Sequence, residues 1–290
     1  MRAKINGAEL YYEVLGENNE KAIMALHGGP GLGSHAKPKK AFAPLSKDYR
    51  LIVYDHRGCG DSSLTPPFSN KQFASDAEGL RDHLDLGEIV MIGGSYGGFI
   101  AQEYAIRHGE NLAGFVLRDT AASHKYDDKA REIALAKLPK VKEMDLDVPH
   151  ITKKELDKVM DGNVSSNEEF RRIFHGMLPL YVPDLEEFDA EAARERIESV
   201  PFHYKTHNKT FTDEFPNMDY TPALPDVDVP ALVTVGRHDW ITPVEASEEI
   251  AELLPDSRLK IFESSGHSPN LDQQEEYLAT VRKFLEEIGY

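Results

Sequence analysis

Short apolar runs alternate with amphipathic segments along most of this chain. The apolar runs have the length of buried strands and lie at 22–26, 51–55, 88–92, 114–119, 230–236 and 259–262. Apolar residues recur at helical spacing in the segments 72–86, 99–106, 244–254 and 273–288. Because the two kinds of segment alternate with short connections, the pattern predicts an α/β protein with a mostly parallel central sheet and helices on both faces.

The first residues have a different pattern. Residues 3–5 and 8–14 alternate between apolar and polar positions, and Asn6-Gly7 separates them. This dipeptide is typical of a tight hairpin turn. We therefore predict an antiparallel hairpin at one edge of the sheet, without a chemical role.

The segment from 123 to 226 is dense in lysine, aspartate and glutamate and contains no buried-strand run. Uneven amphipathic patterns predict helices near 127–138, 152–160, 167–177 and 190–200. We interpret residues 123–226 as a helical cap inserted into a core formed by residues 1–122 and 227–290. A cap above the carboxyl edge of the sheet would shape a substrate pocket, although a purely structural appendage would have the same pattern.

Composition and charge exclude several classes of partner and of site. A net charge of −17 on 290 residues argues against nucleic acid or an anionic membrane as partner, since both need a basic surface. No secretory signal pattern or membrane-length apolar run is present, so we expect a cytoplasmic protein. Cys59 is the only cysteine, which excludes an internal disulfide and a cysteine-based metal site. The sequence does not predict the oligomeric state.

The motif Gly93-Gly94-Ser95-Tyr96-Gly97 carries the candidate chemistry. It follows a buried strand and leads directly into a helix, which is the context that a nucleophile elbow requires. Glycines on both sides permit a sharp turn that lifts the serine out of the sheet. We predict that Ser95 is a catalytic nucleophile. A serine that only caps the helix is the alternative.

A nucleophilic serine needs a histidine base and a carboxylate that orients the histidine. Asp239 and His267 each follow a late predicted strand, and the order serine, acid, histidine is that of an α/β-hydrolase fold. Asp119 also follows a strand and is the rival acid. His238 is a weaker candidate for the base, because it could not easily face its neighbour's carboxylate.

Two further loops begin where predicted strands end. His27-Gly28-Gly29-Pro30-Gly31 is rich in glycine, so its backbone could supply one N–H of an oxyanion hole and Tyr96 the other. The polar turn at 55–62 contains Asp55, Arg57 and Asp61. We interpret these three residues as supports that brace neighbouring loops by charge-assisted hydrogen bonds.

The loops together resemble those of the proline iminopeptidase family of α/β hydrolases, which includes the tricorn-interacting aminopeptidases. The likeness extends over the whole chain, and the motifs that carry it are His27 to Gly31, Asp55 to Ser62, Gly93 to Gly98, Gly236 to Asp239 and Gly266-His267.

This resemblance implies that Ser95, Asp239 and His267 form the triad and that the N–H groups of Gly29 and Tyr96 form the oxyanion hole. It implies an activity that removes an amino-terminal residue, often proline, from peptides or amides. It also implies that glutamates hold the free amine of the substrate.

The sequence departs from that family at the amine site. Trp240 follows the predicted triad aspartate where some members have a glutamate, and the cap region that begins at Tyr204 contains no acid up to position 210. Glu214 or Asp213 could substitute if the cap loop is arranged differently. Trp240, Glu214 and Tyr204 are therefore candidate substrate contacts, and a tryptophan wall would favour a hydrophobic ester, lactone or amide.

The sequence thus predicts a serine hydrolase that needs no cofactor and no metal and that acts on a small molecule or a short peptide. An aminopeptidase of the proline iminopeptidase type is slightly ahead of an esterase or lactonase. A ligand-binding protein that has the fold without the chemistry is the alternative from another class.

Overall fold

The computed structural model describes residues 1–290. Eight strands form one sheet in the order β1-β2-β4-β3-β5-β6-β7-β8. β1 and β2 pair antiparallel, β2 joins β4 antiparallel, and all other pairs are parallel. The bounds are β1 (Arg2–Ile5), β2 (Ala8–Leu15), β3 (Ala22–Leu26), β4 (Arg50–Tyr54), β5 (Ile89–Gly94), β6 (Leu112–Arg118), β7 (Ala231–Gly236) and β8 (Ser257–Phe262). The predicted mostly parallel sheet is confirmed.

The hairpin predicted at the start of the chain is also confirmed. β1 forms the edge of the sheet, and Asn6 and Gly7 connect it to β2 with positive φ angles of 48° and 81°. Positive φ angles at both central residues are typical of the two-residue turn that connects right-twisted strands.

Eleven α-helices surround the sheet and cover both of its faces. Their bounds are α1 (Ala36–Phe42), α2 (Asn70–His83), α3 (Tyr96–His108), α4 (Asp127–Glu143), α5 (Lys153–Met160), α6 (Asn167–Met177), α7 (Ala190–Ser199), α8 (Tyr204–Asp213), α9 (Val244–Leu253), α10 (Pro269–Asp272) and α11 (Gln274–Glu287). Apolar residues of α2, α3 and α9 pack in one cluster, and those of α1 and α11 pack in another. No helix combines the length and the apolar character that a membrane span requires.

The chain between β6 and β7 contains α4 to α8 and no strand of the sheet. Local signals start two of these helices, since Thr152 and Glu155 form a capping box for α5 and the Ser166 hydroxyl caps α6. The helices pack around their own apolar cluster. The sequence pattern predicts four of these five helices but not α8.

The polar turn after β4 connects several segments. The Asp55 carboxylate accepts hydrogen bonds from the backbone N–H groups of His35 and Asp61, at 2.6 and 2.7 Å. The guanidinium of Arg57 forms two hydrogen bonds with Asp76, at 2.5 and 2.8 Å, and both side chains are buried. Asp55 and Arg57 therefore hold the loops beside the carboxyl edge of the sheet.

Candidate active site

Ser95 lies on a sharp turn between β5 and α3. Its backbone has φ 54° and ψ −125°, a conformation that non-glycine residues rarely adopt. The turn needs small residues around it, because a Cβ at Gly93 would lie 2.3 Å from the Gly97 carbonyl oxygen. The glycines thus let the helix start close to the strand and hold the serine away from the sheet.

A buried histidine and carboxylate lie at the same edge of the sheet. His267 Nδ1 is 2.8 Å from Asp239 Oδ2. The Thr242 hydroxyl donates to the same oxygen at 2.6 Å, and the backbone N–H groups of Ile241 and Thr242 donate to Oδ1. Because an ionised carboxylate only accepts, Nδ1 carries the proton and Nε2 is left as an acceptor. This tautomer is the one that can take a proton from a serine.

Ser95 and His267 line one cavity of about 700 Å³. Ser95 Oγ forms no hydrogen bond with the His267 ring in this conformation. Such bonds often tighten only when a substrate is bound. The structure therefore brings the three predicted triad residues to one site, with the histidine already oriented by Asp239.

The two residues predicted to form the oxyanion hole both have an unpaired backbone N–H group. Those of Gly29 and Tyr96 donate to no acceptor within the chain, and both residues line the cavity. Tyr96 is the first residue of α3, where the helix leaves its N–H groups without an internal partner. Two free donors beside a serine can stabilise negative charge that develops on a carbonyl oxygen.

The loop that contains Gly29 is fixed to the cap. Gly31 accepts a hydrogen bond from the His203 backbone N–H at 2.6 Å. A Cβ at Gly31 would lie 2.5 Å from the His203 carbonyl oxygen, and its φ of 77° also favours glycine. The glycine is therefore required for the close contact between this loop and the start of α8.

Asp119, the rival acid, lies beside the triad. Single ligand-type atoms of Asp119, Asp239 and His267 are all within 4.8 Å of one another. Asp119 Oδ1 accepts from the Gly236 N–H at 2.9 Å, and Oδ2 accepts from Arg118 at 2.7 Å. Burial raises the pKa of Asp119 to about 6, with the charge of Asp239 acting in the same direction and the charge of Arg118 opposing it. Since Asp239 bonds the imidazole directly, we assign Asp119 to holding the loop after β7.

The cluster of Asp119, Asp239 and His267 has the side-chain types of a metal site, so the hydrogen bonds it already forms decide whether it could bind a cation. All four carboxylate oxygens of Asp119 and Asp239 already accept hydrogen bonds, from Arg118, Gly236, Ile241, Thr242 and His267. A cation there would have to displace these donors and would lie next to the Arg118 guanidinium. The residues fit a hydrogen-bonded triad better than a metal centre. His238, the weaker candidate for the catalytic base, has an exposed side chain.

The prediction that Trp240 contacts the substrate is wrong. Its side chain is 1% exposed and does not line the cavity, because it packs in the apolar cluster of the cap. It lies behind Tyr181, whose ring is 5.4 Å from the indole and 5.6 Å from the His267 ring. The apolar wall of the cavity is formed instead by Phe99, Val159, Met160, Phe174, Met177, Tyr181, Phe211 and Phe215.

Glu214 and Tyr204 do not line the catalytic cavity either. Glu214 lies in a separate surface pocket, where its carboxylate accepts a hydrogen bond from the Asn70 N–H at 3.2 Å. Tyr204 begins α8 and packs against the apolar cluster of the cap. Both predictions depended on the path of the cap, which the sequence pattern resolved least.

The structure identifies charged residues at the cavity that the sequence analysis did not. Lys37 and Lys40 come from α1, Arg118 from β6, and Glu195 and Arg196 from α7. Asp127 also lines the cavity, but it is paired with Arg131 at 2.9 Å. Arg118 ends a buried strand and the others are in ordinary helical sequence, so no motif indicates any of them.

His207, on the buried face of α8, also lines the cavity, and it predicts a pH dependence of stability. Burial lowers the pKa of His207 from 6.5 to about 4, and its Nε2 is 2.8 Å from the Val159 carbonyl oxygen. Between these two values the unfolded chain binds a proton that the folded protein excludes. We expect acidification from pH 6.5 to 4 to remove up to about 3 kcal/mol of stability through this residue.

Urea unfolding at several pH values would measure this effect. His207→Gln removes the titrating ring and keeps an N–H donor for Val159, so its stability should depend less on pH in this window. Equal pH dependence in the two proteins would contradict the assignment to His207.

A sheet of this order, with a serine on a strained turn after β5, defines the class of α/β hydrolases. The chain belongs to the alpha/beta hydrolase fold family, whose model matches residues 21–274.

The predicted resemblance is confirmed. Proline iminopeptidase PfmaB of Pestalotiopsis fici is 35% identical over 285 residues, covering 98% of this chain and 98% of that protein.

Solved structures agree on the fold. The meta-cleavage product hydrolase CumD of Pseudomonas fluorescens IP01 superposes with a TM-score of 0.77 at 22% identity, covering 99% of this chain and 97% of that one. A thermophilic esterase from Thermogutta terrifontis has a TM-score of 0.70 at 27% identity, with 99% of each chain covered.

Proposed function

We propose that this serine hydrolase removes the amino-terminal residue from short peptides or small amides. The observation that carries the proposal is the cavity in which Ser95, the His267–Asp239 pair and two free backbone N–H groups converge. The likeness over 98% of the chain to a protein named proline iminopeptidase supports this substrate class.

In the proposed reaction, Ser95 Oγ attacks the carbonyl carbon of the first residue while His267 Nε2 takes the hydroxyl proton. Asp239 stabilises the imidazolium that forms, and the N–H groups of Gly29 and Tyr96 bind the oxyanion. His267 then gives the proton to the leaving amine. Water, activated by the same histidine, hydrolyses the acyl-enzyme and releases the product acid.

A free amine in such a cavity needs a carboxylate partner, or its desolvation is not compensated. Two carboxylates line the cavity. Asp127 is already in an ion pair with Arg131, whereas Glu195 is in no ion pair. We therefore propose Glu195 as the residue that holds the substrate amine, in place of Glu214.

The test compares proline and alanine naphthylamides with their N-acetylated forms, and uses Ser95→Ala as the blank. We expect turnover of the free-amine amides, loss of turnover on acetylation, and an increase in KM in Glu195→Gln of about tenfold. Arg194→Gln, on the same helix but outside the cavity lining, is the matched control. Equal turnover of free and acetylated substrates would exclude the aminopeptidase assignment.

Hydrolysis of a hydrophobic ester or lactone is the second candidate. It is supported by the apolar wall of the cavity, in which Phe174, Met177 and Phe211 face the site, and by the likeness to an esterase at 27% identity. Turnover confined to short acyl esters or lactones in the same assay would favour it. The Ser95, His267 and Asp239 chemistry is the same in both cases.

A further inference from the structure

The charge of the catalytic cavity is opposite to that of the protein. The whole chain has 33 lysines and arginines against 50 aspartates and glutamates. The lining of the cavity has four lysines and arginines against two carboxylates, and the basic residues are Lys37, Lys40, Arg118 and Arg196. A basic cavity in an acidic protein concentrates anions at that one place.

Three of these cations have no carboxylate partner, and of these Lys40 is exposed whereas Lys37 and Arg196 are half-buried. Arg196 forms no ion pair, and its guanidinium lies 5.9 Å from the ring centres of both Phe174 and Tyr181. Lys37 also forms no ion pair, and its Nζ donates to the Ser268 hydroxyl at 2.9 Å. By contrast, Arg118 is paired with Asp119.

Lys37 and Arg196 both lie on the His267 side of the cavity. Ser268, which accepts from Lys37, is the residue after His267. The Tyr181 ring, under the Arg196 guanidinium, is 5.6 Å from the His267 ring. Lys37 and Arg196 are therefore each one contact away from the histidine that would protonate the leaving group.

The electrostatic cost of this arrangement appears in the pKa values of Lys37 and Arg196. Burial lowers the pKa of Lys37 well below its usual range, and the positive charges of Arg196 and Arg118 lower it further. Asp119 and Asp272 oppose this effect, but neither is in ion-pair contact with Lys37. Burial also lowers the pKa of Arg196. A bound anion would relieve both groups.

We propose that Lys37 and Arg196 form a subsite that binds a carboxylate of the substrate on the leaving-group side of Ser95. The inference rests on the proposed function and specifies its substrate class. For an aminopeptidase, the group bound would be the terminal carboxylate of a dipeptide or tripeptide. For an ester hydrolase, it would be a carboxylate on a non-peptide substrate.

The first experiment uses prolyl-alanine and prolyl-alanine amide, which share the amine and the scissile bond and differ only in the terminal charge. We expect wild-type protein to prefer the carboxylate form in kcat/KM by at least about tenfold. Arg196→Gln and Lys37→Gln should each lower this preference by about tenfold. Arg196→Lys should keep most of it, and Arg194→Gln should keep all of it.

A second pair of substrates, 4-carboxyphenyl hexanoate and 4-carbamoylphenyl hexanoate, has the carboxylate or the neutral amide on the leaving phenol and separates the two sources of the carboxylate. Preference for the anionic ester, without turnover of either peptide, would overturn the aminopeptidase proposal and support the subsite. Preference for the neutral member of both pairs, or an unchanged preference in Arg196→Gln, would overturn the subsite.

Binding to Ser95→Ala protein tests the subsite without turnover. Calorimetry should detect hexanoate binding that is weakened in the Ser95→Ala, Arg196→Gln double variant, and no comparable binding of hexanamide. Equal binding of the acid and the amide would overturn the proposal even if the protein proves to be an aminopeptidase.

Discussion

Ser95→Ala should lose about 10⁴- to 10⁶-fold in kcat while the protein remains folded. The hydroxyl is the only nucleophile on the strained turn after β5, and the free N–H groups of Gly29 and Tyr96 cannot replace it. They can only stabilise the attack of water, which accounts for the residual rate that we expect. Steady-state hydrolysis of whichever substrate the wild type cleaves would measure the loss.

Ser75→Ala is a suitable control for this variant, because Ser75 is on α2 and outside the lining of the cavity. Circular dichroism should show the same helix content in both variants. A kcat for Ser95→Ala within tenfold of wild type would refute the role of Ser95 as nucleophile.

Asp239→Asn should lower kcat by about 10³- to 10⁴-fold. The carboxylate oxygen that His267 Nδ1 contacts at 2.8 Å also accepts from the Thr242 hydroxyl. A carboxamide that keeps this geometry can turn its NH₂ toward Nδ1. The imidazole would then hold its proton on Nε2, where Ser95 needs an acceptor.

Asp119→Asn provides the comparison for that variant, since its carboxylate lies in the same cluster but bonds Arg118 and Gly236. We expect its kcat to fall by no more than about tenfold and its thermal midpoint to fall, because Arg118 loses its partner. Equal losses of kcat in the two variants would mean that both carboxylates serve His267.

Residues whose placement depends on local structure could be predicted from the sequence. The elbow at Ser95 needs only a strand, two small residues and a helix in succession, and all of these are visible in the chain. Asp239 and His267 were found because parallel strands place their following loops at one edge of the sheet.

The cap could not be predicted to the same level, because its helices depend on packing rather than on local preference. α8 contains three threonines, an asparagine and two aromatic residues, which are weak helix formers. Its buried face, with Thr206, His207 and Thr210, is stabilised by contacts with the rest of the protein.

Trp240 shows a second limit of reasoning from the sequence. Its position next to Asp239 suggested a place in the pocket, but neighbours in a loop can point in opposite directions. Here the carboxylate meets His267 and the indole enters the apolar cluster of the cap. Glu195 and Arg196 could not be predicted as cavity residues, because they are far from the triad in sequence and only the three-dimensional path of α7 brings them to the cavity.

The contact between Gly31 and His203 has a consequence for how this enzyme could diversify. Gly29, the proposed oxyanion donor, is two residues from a glycine that accepts a hydrogen bond from the cap. Exchange of the cap for that of a relative would therefore alter the alignment of this donor as well as the shape of the cavity. Substrate range and catalytic rate are thus coupled in this protein, and a transplanted cap would have to preserve the close contact at Gly31 to retain the full rate.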